Sequence, residues 1–160
     1  MLPPKISKLT LAQNKQSDMN NNGMMELIEI LHKEKCSCVI QNDERIVLCH
    51  QRGVKDLFDL LMNDKNLLEG AIIADKVVGK GAAALMIEGG VKEVYADVIS
   101  EPALSLFKSV GMPIDYKECV PNIINRTATG ICPVESICSE CITASECIPL
   151  IEKFIFSIAK

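Results

Sequence analysis

DKVVGKGAAALMIEGGVKEVYADVISEPALSL, residues 75–106, is the stretch whose reading decides the fold. An apolar strand runs into the Gly79-Lys80-Gly81 turn and an alanine-rich helix. Gly89-Gly90 stops that helix, because glycine takes the left-handed cap without a Cβ penalty. VKEVYADVI (91–99) is then a second buried strand. Ser100 is an N-cap, with Glu101 and Pro102 in the first turn of a second helix, where an acid suits the dipole and proline gives up no needed N–H. Two helices thus start at the ends of neighbouring strands, where α/β proteins place their sites. Neither start carries a His or Cys.

Outward from this unit, the pattern alternates helix and strand. Leu27, Ile28 and Leu31 give helical spacing from about Met25. CSCVIQ (36–41) and RIVLCH (45–50) are β-rich runs about Asn42-Asp43-Glu44, a hairpin signal. Gly53 precedes a helix with Val54, Leu57, Phe58 and Leu61 on one side. AIIADKVVG (71–79) is an apolar strand with a polar break at Asp75-Lys76, which points to two short strands or a hairpin. Ala103, Leu104, Phe107 and Val110 line the helix that ends at Gly111. DYKECVP (115–121) is a further strand, and a last helix spans about 149–159 with Leu150, Ile151, Phe154, Ile155 and Ile158 inward. Alternation of this kind predicts an α/β fold: a mixed sheet of about five strands flanked by helices in three layers. Residues 1–23 contain the polar, turn-rich SDMNNNG (17–23) and are expected to be a flexible N-terminal extension to a single domain over 24–160.

Composition sets bounds on function. The 160 residues suit one core, and with no Trp and 4% aromatic residues that core is aliphatic. A net charge of −4 with no basic block argues against nucleic acid as a partner. No apolar run reaches the ~18 residues of a membrane span, and no signal-peptide h-region stands at the N-terminus. The expected location is cytoplasmic, so the eight cysteines are expected to be thiols. Cys36, Cys38, Cys49 and Cys119 fall in apolar strand patterns and read as small core residues. A homodimer is compatible with such a chain, and nothing in the sequence requires one.

GKGAAALM (79–86), VYADVISEPAL (94–104) and NRTATGICPVE (125–135) carry a resemblance. Over about Met24 to Glu135 the chain resembles a bacterial domain family of unknown function with a cytidine-deaminase-like fold and no catalytic zinc. Zinc deaminases place His-x-Glu at the first helix start and Pro-Cys-x-x-Cys at the second. Here those positions read Gly79-Lys80-Gly81 and Pro102-Ala103-Leu104-Ser105-Leu106. The resemblance therefore implies the fold without deamination and without a cofactor. His32-Lys33-Glu34 and Cys138-Ser139-Glu140-Cys141 match the motifs as text, but His32 precedes the hairpin rather than ending a strand.

Three functional readings stay open. In the first, an anionic or nucleotide-like small molecule binds at the paired helix starts. Its site comprises Gly79, Lys80, Gly81, Ser100, Glu101 and the loop residues Asn125, Arg126, Thr127 and Thr129. Cys132 begins a helix, with Pro133 first and Glu135 third, and a thiol in that field tends toward thiolate. If the protein is an enzyme, it is a zinc-independent one using Cys132, with Glu135 as proton carrier; otherwise the pair only caps and packs. The glycines and Lys80 have a plainer use too, as a tight turn and a solvated charge. In the second, the domain is a non-catalytic binding or regulatory scaffold. In the third, Cys132, Cys138, Cys141 and Cys147 hold a metal, although only one Cys-x-x-Cys is present. His32 and His50 lack any partner that spacing can supply.

Overall fold

The computed structural model describes residues 16–51, 54–125 and 127–158. In chain order the elements are α1 (Gln16–Lys33), β1 (Cys38–Asn42), β2 (Arg45–Cys49), α2 (Lys55–Asn63), α3 (Lys65–Leu68), β3 (Ile72–Val78), α4 (Lys80–Gly89), β4 (Glu93–Ser100), α5 (Glu101–Ser109), β5 (Ile114–Val120), α6 (Pro133–Ile137) and α7 (Ala144–Ile158). Among the described residues the strands form one five-stranded mixed sheet in the order β2-β1-β3-β4-β5. The hairpin β1–β2 turns through Asp43, whose φ of 53° is the left-handed value that a two-residue hairpin loop demands. β1 pairs antiparallel with β3; β3, β4 and β5 run parallel. Parallel neighbours need a crossover, which α4 and α5 supply.

Strand alternation sends side chains to two clusters. Cys38, Ile40, Ile73, Val94 and Ala96 join the larger one, beneath Leu57, Phe58, Ala83, Leu85, Phe107, Ile151 and Ile155 of the helices. Val39 and Ala74, one residue out of phase, join Leu27 and Leu31 of α1 in the smaller one. The core is aliphatic: Phe58 and Phe107 are its only buried aromatic rings among the described residues.

Several expectations differ from what is seen, among them Leu150 and Ile158, which are exposed rather than inward. The helix expected from Met25 begins at Gln16, so SDMNNNG is helical rather than turn-rich. AIIADKVVG forms a single strand, with Asp75 buried inside it. The last helix starts at Ala144 and runs through Pro149. Its buried stripe, Ala144, Cys147, Ile151 and Ile155, anchors both sides of the proline, and that packing outweighs the lost hydrogen bond. Cys119 is half-buried on the edge strand, whereas Cys36, Cys38 and Cys49 are buried as expected. Gly53 lies outside the described residues, as does Arg126. No described helix is long and apolar enough to cross a membrane.

Candidate functional site

Val78 and Ile99 are partners on adjacent parallel strands, so β3 and β4 end side by side. Each strand passes directly into a helix: β3 through Gly79 into α4, β4 through Ser100 into α5. Ser100 is extended (φ −85°, ψ 155°), and its Oγ accepts the Ala103 N–H at 3.2 Å. Both helix N-termini therefore face one small volume, with free N–H groups and positive dipole ends.

That volume holds a carboxylate from the chain itself. Glu135, on α6, is 3% exposed. The Lys80 N–H donates to its Oε1 at 2.6 Å, and the Ser100 hydroxyl donates to the same oxygen at 3.2 Å. Ile123 N–H donates to Oε2 at 2.8 Å. Three donors satisfy a charge whose burial would otherwise be strongly unfavourable. Glu135 thus lies between the two helix starts and takes hydrogen bonds from both.

The glycines fit this occupant. A Cβ on Gly79 would stand 3.0 Å from Glu135 Oε1 and 3.1 Å from Ile123 Cγ1. A Cβ on Gly81 would stand 2.3 Å from Val134 Cγ1, well inside contact distance. Their missing side chains let α6 lie against the start of α4. Lys80 is buried rather than solvated, and its ammonium donates to the carbonyls of Cys141 (2.5 Å) and Ser139 (3.4 Å). It ties the cysteine-rich segment to α4.

The other expected site residues lie outside the seat. Glu101 is exposed in the first turn of α5. Asn125, Thr127 and Thr129 bond to one another: Thr129 N–H and Thr127 Oγ1 donate to Asn125 Oδ1 at 3.0 and 3.2 Å, and Asn125 Nδ2 donates to Thr129 Oγ1 at 3.1 Å. Cys132 stands at the cap of α6 as expected, its N–H on the Ile123 carbonyl at 2.8 Å, and its side chain makes no capping bond. Glu135 reaches across to the starts of α4 and α5 instead of back to its own helix.

Of the four late cysteines, Cys138 and Cys147 are fully buried and Cys132 and Cys141 half-buried. The Cys147 thiol donates to the Thr143 carbonyl one turn back, at 3.7 Å. Among the described residues no group of three or more His, Cys, Asp or Glu side chains is arranged to hold a metal ion.

Spacing alone gave His32 no partner, but the fold supplies one. His32 Nε2 donates to both oxygens of Asp97, at 2.8 and 2.9 Å, and Tyr95 O–H donates to Oδ1 at 2.8 Å. Burial and the bond to Asp97 push the Tyr95 phenol up to about 12. The pair is 65 residues apart in sequence, which no local pattern can reveal. It ties the end of α1 to β4, and the hydrogen bonds of His32 go to Asp97 alone among the described residues. His50 Nδ1 bonds the Lys35 carbonyl at 3.0 Å. Asp75 was also missed as a buried acid. Burial raises its carboxyl to about 7, despite the hydrogen bond from the Val77 N–H at 3.2 Å.

Comparison with known proteins gives a consistent picture. A crystal structure of a DUF1893 family protein from Thermotoga maritima superposes with a TM-score of 0.75 at 27% identity, covering 81% of this chain and 88% of that one. No curated protein matches the chain. The family model for DUF1893, a domain of unknown function, matches residues 26–155, from α1 through most of α7. The chain therefore belongs to the DUF1893 family.

Proposed function

We propose that this protein is a non-catalytic binding or regulatory domain on a deaminase-like scaffold, its ancestral site closed by its own Glu135. The observation that carries this reading is the carboxylate seated at both helix starts on three donors. A carboxylate so engaged is poorly placed to move protons for Cys132. The helix starts themselves supply neither His nor Cys as a first ligand for zinc. What remains is a rigid layered framework whose strand-end crevice is plugged from within.

A second reading rests on the same geometry. Two converging helix N-termini select anions, so Glu135 would stand in for an anionic ligand and yield to it. Thermal melts of Glu135→Gln and Glu135→Ala, with and without inorganic phosphate, separate the two. Under the first reading Glu135→Ala leaves three buried donors unpaired and loses roughly 3 kcal/mol or more. Glu135→Gln, which keeps an acceptor oxygen, loses less, and phosphate adds no saturable stabilisation to either. A phosphate-dependent rise in the melting temperature of Glu135→Ala alone, following simple binding linkage, would overturn the plugged reading in favour of a masked anion site.

A further inference from the structure

β5, IDYKECV, is an outer strand, and among the described residues it pairs with β4 along one side only. Two hydrogen bonds fix the phase of its backbone. The Val94 N–H of β4 donates to the Pro113 carbonyl at 3.2 Å, so Pro113 faces β4. Alternation then turns the backbone groups of Asp115 toward β4 and those of Ile114, Tyr116 and Glu118 outward. The Tyr116 N–H agrees, since it donates to the carboxylate of its own neighbour Asp115 at 3.0 Å. Asp115, Tyr116, Lys117 and Glu118 are exposed in succession, so both faces of the strand lie open here. An open edge of this kind is a template for another strand.

We propose that the outer edge of β5 is a homodimer interface, pairing antiparallel with β5 of a second copy about a two-fold axis at Tyr116. The charges choose both the occupant and the register. A two-fold axis normal to the sheet sets one residue against itself, and residues equally far before and after it against each other. At Asp115 or Glu118 such an axis sets carboxylate against carboxylate, and at Lys117 ammonium against ammonium. Of these exposed positions, only Tyr116 brings Asp115 of each copy opposite Lys117 of the other, with the two tyrosines paired between them. Opposite charges and aromatic pairs directly across a ladder stabilise it, and like charges do the reverse. Neither Asp115 nor Lys117 forms an ion pair among the described residues. The backbone phase suits the same axis: Tyr116 exchanges both its bonds with Tyr116 of the second copy, and Ile114 does so with Glu118.

In the lone chain the Asp115 carboxylate covers the Tyr116 N–H. Pairing gives that N–H a carbonyl instead and frees the carboxylate for Lys117 of the second copy. Charged side chains on an edge guard it against a stray strand. Here Asp-Tyr-Lys makes one register complementary and its neighbours repulsive, which selects a second copy of this chain over indiscriminate pairing. Antiparallel pairing also sets the start of one β5 against the end of the other. Val110 lies before the strand, and Ile124 and Ile131, joined in an isolated bridge, lie after it, each about half exposed. Their apolar surface adds to a contact that a single strand pair leaves small. The interface makes no use of Glu135 and stands apart from the plug.

Sedimentation velocity of the full chain over roughly 1 µM to 1 mM tests it, and a monomer–dimer equilibrium is expected within that range. Asp115→Lys and Lys117→Asp each set like charges across the ladder, and each alone is expected to weaken the dimer roughly tenfold or more. The double variant exchanges the two charges and restores the complementary pairs. It is expected to associate within about threefold of the unaltered chain. Both positions are exposed, and circular dichroism confirms that the variants are folded. Amide exchange at Tyr116 is expected to slow as the dimer fills. A chain that stays monomeric throughout would overturn the proposal. So would a dimer that both single variants leave unchanged, or a double variant that associates no more tightly than the singles.

Discussion

Replacing Gly81 with alanine tests whether α6 lies where the structure puts it. The added Cβ would sit 2.3 Å from Val134 Cγ1, where carbon–carbon contacts need about 3.5 Å or more, so the two atoms must part by roughly 1 Å. Val134 is buried and β-branched, which leaves it little rotamer freedom in a helix. The other neighbours of the new methyl, Ile151 Cδ1 and Val54 Cγ1 at 3.5 Å, accept it without strain. Overpacking costs about 1–3 kcal/mol, set against up to about 1 kcal/mol gained from replacing glycine in a helix. Displacing Val134 also moves the adjoining Glu135 off its 2.6 Å bond from the Lys80 N–H, so the net effect is destabilising. Val134→Ala alone removes two buried methyl groups and costs roughly 1.5 kcal/mol. In the double variant the clash is gone and the new methyl fills part of the space vacated. The double variant is therefore expected to be more stable than the sum of the singles predicts, by about 1 kcal/mol or more, or roughly 2–4 °C in melting temperature. Urea unfolding of the four proteins measures this. Additivity within about 0.5 kcal/mol, or Gly81→Ala alone raising stability, would refute the packing of α6 on α4 and with it the plug.

Asp75 predicts an inverted pH dependence. Its carboxyl is held at about 7 when folded against 3.8 when exposed, so the folded chain keeps a proton that the unfolded chain releases. Stability from this group is full below about pH 4 and falls as pH rises toward 7, by about 4 kcal/mol at most. Asp75→Asn should flatten that slope and be the more stable form at pH 8; urea midpoints that stay parallel from pH 4.5 to 8 would contradict it. Ser100→Ala removes both the cap on Ala103 N–H and a donor to Glu135, so a loss of about 1–2 kcal/mol is expected. If the loss is the same in a Glu135→Ala background, where that acceptor is gone, Ser100 acts as a cap alone.

The layered α/β architecture was already written in local patterns. Strand runs, the Gly90 cap (φ 80°) and the Ser100 N-cap act over a few residues, and they fall where the chain's periodicity puts them. So does the convergence of Gly79–Gly81 and Ser100, since two crossovers between parallel strands must start their helices at one end of the sheet. What occupies that end was not readable. Glu135 scans as a first-turn acid of its own helix, and only the approach of α6 to α4, 55 residues away in sequence, turns it into their shared ligand. The same holds for Lys80, which scans as a solvated turn residue, and for Asp97, which gives His32 a partner. Caps and periods are set by neighbours along the chain, so sequence alone determined them. Which charge meets which is set by how the layers close, and only the tertiary structure decided that.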